Sequence, residues 1–196
     1  MFHVERLILL AGPSCAGKST LMDLMREGRC PTLVEQLDMG NPRHWRYDTM
    51  AHFLRHPRPQ TRRLLIHLDL YALFNRNRLD KLNYLLGQTS QVQALTLYAS
   101  ADALSQRCVA KSREMTWSLI RQGRYKYYGL SDTTRRIRRL RGKRKAYKEN
   151  YADQLYDAWH DYLYLADISE HLTLDTNKQG PLARHCMDIR AEYSQP

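Results

Sequence analysis

The 196-residue chain has no apolar run that approaches the ~18 residues needed to cross a bilayer as a helix. Its N-terminal apolar stretch is six or seven residues long and flows directly into a glycine-containing loop, which argues against a secretory signal. Cysteine is scarce. Cys15, Cys30, Cys108 and Cys186 are far apart and match neither a zinc nor a redox spacing, which excludes a disulfide-stapled scaffold. A reduced, cytoplasmic setting is the expectation. Internal repeats and low-complexity linkers are missing as well. Acid is under-represented, with 20 Asp and Glu against 31 Lys and Arg, a formal charge of +11. That excess implies an anionic partner without naming it: a phosphorylated or sulfated acceptor, a nucleic acid, or an anionic membrane surface touched peripherally.

What is present is concentrated near the N-terminus. Residues 12–20 read Gly-Pro-Ser-Cys-Ala-Gly-Lys-Ser-Thr and contain the phosphate-binding pattern G-x-x-x-x-G-K-[ST]. Each position has a mechanical task. The backbone of Gly12, Pro13, Ser14, Cys15, Ala16 and Gly17 curls so that N–H groups face a polyphosphate. Lys18 adds a point charge, Ser19 offers a hydroxyl to Mg²⁺, and Thr20 continues into a helix whose positive end faces the same anion. The flanks agree. Residues 6–11 form a short apolar run suited to a buried parallel strand, and residues 19–26 carry an amphipathic helix pattern that Gly28 stops.

Strands are expected at residues 6–11, 32–37, 63–70, 92–98 and 171–175. Helices are expected at 19–26, 73–86, 101–121, 134–168 and 182–193. Alternation of the two types implies a parallel sheet with right-handed crossovers, in a single domain spanning residues 1–196. The segment 38–62 carries three prolines, Trp45, Tyr47, Phe53 and several basic residues, and is expected to be an acceptor-binding loop. The stripe Tyr147, Tyr151, Leu155, Trp159, Tyr162 and Leu163 recurs at helical spacing and reads as core.

Four groups of side chains are candidates for chemistry. Asp69, at the tip of the third strand, is expected to anchor Mg²⁺ with Ser19, against the plainer role of a helix cap. His67, two residues earlier, reads as a satisfied buried histidine. Asp38, at the end of the second expected strand, is placed to act as base toward an acceptor hydroxyl, with Glu35 as second choice. Arg43 and Arg46 follow as candidates to hold an anionic acceptor. Arg107 and Arg113 lead into a basic region at about 112–146 that includes the run 135–145, Arg-Arg-Ile-Arg-Arg-Leu-Arg-Gly-Lys-Arg-Lys. A lid drawn from this region would set arginines against the charge of phosphoryl transfer. A solvated helix face or a nucleic-acid patch is the competing reading, and Tyr125, Tyr127 and Tyr128 supply the aromatic interleaving that single strands use.

The run from Arg6 to Leu21 resembles the opening of guanylate kinases, and the chain as a whole resembles a P-loop kinase of the nucleoside and nucleotide kinase type. The residues from Leu95 to Arg113 are similar to the strand and arginine-bearing helix that lead to the lid in small-molecule kinases. Asp175 and Thr176 are similar to the end of the final strand, whose following loop lies near the adenine. The resemblance implies a three-layer α/β P-loop NTPase fold, with a five-stranded parallel sheet in the order 2-3-1-4-5 and a basic helical lid. It also implies a Walker A site for Mg-ATP as donor. The guanylate kinase acceptor signature is missing, so GMP is not implied. A GTPase is disfavoured because residues 177–180, Asn-Lys-Gln-Gly, lack the aspartate that reads guanine. The expected activity is transfer of the ATP γ-phosphoryl group to a small-molecule, nucleotide or sugar-like acceptor. The alternatives are a nucleic-acid-associated kinase or ATPase, and a kinase of a polysaccharide or lipid-linked glycan.

Overall fold

The computed structural model describes residues 2–76, 78–126, 128–177 and 191–193, the last of these as backbone only. The chain forms two compact units, one made of Met1–Tyr98 with Leu155–Pro196 and the other of Ala99–Gln154.

The first unit is built on a parallel sheet. Strand β1 (His3–Ala11) lies at its centre, between β3 (Gln60–His67) and β4 (Thr89–Tyr98). Strand β2 (Arg46–Thr49) pairs with β3, and β5 (His171–Asp175) pairs with β4. The five strands are all parallel in the order β2-β3-β1-β4-β5, as expected, and β6 (Ala191–Tyr193) adds antiparallel to β5. Leu7, Ile8, Leu9, Leu10 and Ala11 are completely buried, which is what a continuous apolar run in a central parallel strand requires. The register sets Leu10 beside His67 on one side and Leu95 on the other, so the strands end together at one edge.

The helices of this unit are α1 (Lys18–Arg26), α2 (Pro31–Gln36), α3 (Met50–Arg55), α4 (Leu70–Phe74) and α5 (Leu79–Leu86). Residues 32–37, expected to be the second strand, belong instead to helix α2 and its C-cap. Pro31 at the first helical turn has no N–H to lose and a φ already suited to a helix. Leu33 and Leu37, both buried, stand four residues apart, a helical spacing. The second strand is Arg-Tyr-Asp-Thr at 46–49, an edge strand of four half-buried or exposed residues. The expected helix at 73–86 is interrupted between α4 and α5. The expected helix at 182–193 falls mostly outside the described residues, and its last three residues form β6.

The second unit is a helical hairpin of α6 (Ala101–Gln122) and α7 (Leu130–Lys148). Ser100 Oγ caps α6 by accepting from the Ala103 N–H, and Gly123 ends it in a left-handed conformation at φ +64°. Met115, Tyr125 and Ile137 form a small core with Leu119, Tyr128 and Leu140 packed around it. The Tyr125 hydroxyl donates to Glu114 at 2.7 Å, and Lys111 bonds to both. The long helix expected at 134–168 is broken at Asn150, φ +59°, into α7 and α8 (Tyr151–Leu165). The aromatic stripe is core, as read: Tyr147, Leu155, Trp159 and Leu163 are all buried. The Trp159 indole N–H donates to Thr96 Oγ1 at 2.8 Å, and the Tyr156 hydroxyl donates to the Leu97 carbonyl at 3.0 Å.

Two half-buried histidines are expected to make the first unit acid-sensitive. Burial first, then the charge of Lys18, lowers His67 to about 4 against an opposing pull from Asp69. Burial first, then His160, lowers His171 to about 4. Both are neutral in the folded chain at pH values where an unfolded histidine is already charged. Between pH ~6.5 and about 4 the unfolded chain binds more protons, so stability is full above that window and falls as pH falls through it. Urea midpoints at pH 7 and pH 5 should therefore differ less for the double variant His67→Gln, His171→Gln than for the parent. An unchanged difference would show that other groups govern the acid limb.

Candidate functional site

The edge where the strands end carries the glycine-containing loop 12–17. Gly12 leaves β1 at φ +153°, Cys15 sits at φ +71° and Gly17 at φ +101°. A Cβ on Gly12 would stand 2.9 Å from the Leu97 carbonyl oxygen, so β4 passes too close for any side chain there. Residues with positive φ alternating with ordinary ones turn backbone N–H groups toward a common centre, the geometry of an anion nest. Gly17 is also the N-cap of α1, which sets that helix's positive end at the same place. Lys18 is only 4% exposed, and its ammonium donates to the carbonyls of Gly12 and Pro13, both at 2.6 Å. Ser19 and Thr20 are exposed at the start of α1.

Asp69 lies two residues beyond β3 at the same edge. Its Oδ1 accepts from the Tyr71 N–H at 3.1 Å and so caps α4, and its Oδ2 accepts from the Ser14 hydroxyl at 2.5 Å. It is therefore both the helix cap and a direct tie to the loop 12–17. The donor set suits Mg²⁺ bound mainly by phosphate oxygens and water, which needs only a hydroxyl such as Ser19 and one carboxylate such as Asp69 from the protein. Among the described residues no three His, Cys, Asp or Glu side chains cluster for a metal, so an all-protein cage is not formed there.

Asp38 is not at this edge. Its carboxylate pairs with Arg6 Nη1 at 2.7 Å, and Arg6 also donates to the carbonyls of Asp38 and Leu37. Arg6 stands six residues before Gly12 on β1, about 20 Å away along an extended strand. The physical reason is the helix at 31–36. Because that segment is not a strand, the chain is still at the opposite edge of the sheet when it reaches Asp38. The side chain is 86% exposed there. Glu35, the second choice, lies on that same helix. Arg43 lies in a 3₁₀ turn (Pro42–His44) that precedes β2, at the start of that strand rather than its end. Arg46 opens β2, stacks over Phe53 at 4.8 Å, and donates through Nη2 to Asp48 and to the His56 carbonyl. Its Nη1 is buried without a hydrogen-bond partner. Arg107 and Arg113 are on α6, in the second unit.

The carboxylate that the second strand carries toward this edge is Asp48, whose side chain is 9% exposed. It pairs with Ile66 in the register, and Thr49 pairs with His67. Asp48 accepts from Arg46 Nη2 at 2.9 Å and the Thr49 N–H at 2.8 Å, and bonds to His52 Nδ1 at 2.8 Å. Burial raises the carboxyl's pKa, but the bonds from His52, Thr49 and Arg46 outweigh that and leave it below the usual value. His52 stands in the first turn of α3, itself capped by Thr49 Oγ1. A neutral imidazole whose Nδ1–H donates to Asp48 would present Nε2 as a proton acceptor. The side chain is 58% exposed. The four-residue spacing of Asp48 and His52 was visible in the sequence, within a segment read as loop.

Because the Asp48 pKa is lowered, the stability it lends is present above the ordinary carboxylate range and lost as pH falls through and below it. Asp48→Asn should therefore unfold at lower urea than the parent at pH 7, and the gap should narrow at a pH below the ordinary carboxylate range. A gap of equal size at both pH values would assign the effect to packing instead.

Comparison with protein-family models, with curated proteins and with solved structures gives no match.

Proposed function

We propose that the chain is an ATP-dependent phosphotransferase that moves a γ-phosphoryl group to a hydroxyl of a small-molecule, nucleotide or sugar-like acceptor. The observation that carries this reading is the tie between loop and strand. A nest running from Gly12 to Gly17 holds the buried Lys18, and its Ser14 bonds the strand-end carboxylate of Asp69. A structural glycine turn has no need for an ammonium held within it or for a carboxylate beside it. Phosphoryl transfer needs both. Ser19 and Asp69 are the residues that would hold Mg²⁺, which would neutralise phosphate charge. In this reading Lys18 stabilises the charge of the moving group. The acceptor oxygen attacks the γ-phosphorus as the bond to the β–γ bridging oxygen breaks and ADP leaves. The hydroxyl proton passes to His52 Nε2, with Asp48 holding the ring and stabilising the imidazolium.

The test is a screen for ATP-dependent phosphorylation of nucleosides, nucleotides, sugars and glycans, run with ATP affinity measured in parallel. His52→Gln should lower turnover on the responding acceptor about 10²-fold with little change in ATP affinity. Full turnover in that variant would remove His52 as the base. Failure of the parent protein to bind ATP with Mg²⁺ would overturn the phosphotransferase reading itself.

A further inference from the structure

The net charge of the chain is not spread over it. The second unit, Ala99–Gln154, holds fifteen Lys and Arg against five Asp and Glu, a net of +10 out of +11. Ten of the fifteen are arginine, the side chain whose planar fork matches phosphate oxygens. Within this unit α6 and α7 enclose a groove of about 430 Å³. Its lining combines Trp117 and Ile120, 59% and 69% exposed, with the guanidinium groups of Arg113, Arg141 and Arg144. Arg121 stands over the Trp117 ring at 5.8 Å. Among the described residues no carboxylate lies within ion-pair distance of Arg113, Arg121, Arg141 or Arg144, although Glu114 and Asp132 pair with Lys111 and Arg135 nearby. The exposed cations of α7 recur at three- and four-residue intervals, so they form a row one helical turn, about 5.4 Å, apart.

A single transferred phosphoryl group does not require a row of cations, and a flat bilayer does not require a groove. An exposed indole that stays unburied beside unpaired guanidinium groups provides a stacking face and phosphate ligands together, the two elements of sequence-tolerant single-strand binding. We propose that the α6–α7 groove binds single-stranded nucleic acid, with a base stacked on Trp117 and backbone phosphates on Arg113, Arg141 and Arg144.

The test uses the full chain without ATP or Mg²⁺, which separates its outcome from the phosphotransferase reading. Of the three tryptophans, Trp45 and Trp159 are buried, so a change in intrinsic fluorescence on contact with a ligand reports mainly on Trp117. Titration with a twenty-residue oligo-dT or oligo-rU at low salt should quench the emission, and the tighter of the two identifies the natural class. Trp117→Ala should weaken binding about tenfold or more, read by retardation of labelled strand, and Trp117→Phe should restore most of it. The double variant Arg141→Ala, Arg144→Ala should flatten the slope of log affinity against log salt by about 1.4. An abasic strand of equal length should bind more weakly than either oligonucleotide. Equal binding of the abasic strand and an unaffected Trp117→Ala would overturn the stacking assignment. No quenching or retardation at low salt would overturn the proposal. A shift of emission with phosphatidylserine vesicles but not with strands would also overturn it, in favour of a membrane surface.

Discussion

Lys18→Ala is expected to lower ATP-dependent phosphoryl transfer about 10³-fold, the effect of removing one preorganised cation from a site where charge develops. The fold should persist. The ammonium donates to two loop carbonyls, those of Gly12 and Pro13, and the loop keeps its other backbone bonds without it. The Gly12 carbonyl keeps a partner, because it also accepts from the Leu70 N–H at 3.2 Å. The variant carries its own internal control. Lys18 is one of the groups that hold His67 at about 4, and its removal should let the His67 titration rise while burial keeps it below the ordinary value. NMR titration of the imidazole reads this without any substrate. Loss of transfer with a raised His67 titration and an unchanged thermal midpoint would locate the defect in the loop. Full turnover in Lys18→Ala would remove the proposed role of this lysine.

Gly12→Ala should be the most damaging small substitution in the loop. The added methyl meets the Leu97 carbonyl oxygen at 2.9 Å and Ala16 Cβ at 3.3 Å, and the first of these belongs to the backbone of a central strand. Neither β4 nor the loop can move without loosening the β1–β4 ladder, which runs to Ala11 beside Thr96. Together with the unfavourable φ of +153° this is expected to cost about 3 kcal/mol, or about 6–12 °C in thermal midpoint for a chain of this size. Gly28→Ala is the informative comparison. It has φ +71° with nothing within 4 Å of the added methyl, so it meets only the backbone preference. If both variants melt together, the close approach of β4 to the loop is not what requires glycine at position 12.

The parts of the fold legible in the sequence were those in which one physical demand dominates. A central parallel strand must be apolar along its length, and β1 and β4 announce themselves that way. The fifth strand was placed at its observed bounds, 171–175. The sheet order was legible, but its second strand was not, because β2 is a four-residue edge strand with no apolar run. The Leu33–Leu37 pair, which belongs to a helix, supplied the more visible apolar pattern. That single error displaced Asp38 from the edge it was expected to occupy and concealed Asp48, whose bond to His52 depends on β2 ending where it does. The net charge was legible as a total. Its concentration at about 112–146 was legible too, but not the groove, since a charge run carries no information on which turns of two helices face each other.

The two flanks of the sheet have a consequence for the behaviour of the protein at high concentration. A long bare margin of unpaired backbone groups invites another chain to add to it. On one side β2 offers only four residues, with Arg46 and Asp48 among them. On the other, β5 is covered by an antiparallel segment of three residues. Among the described residues neither margin is long enough to template strand addition. The β2 margin is thus guarded against self-association by brevity rather than by closure, and lengthening β2 with β-branched residues would remove that guard.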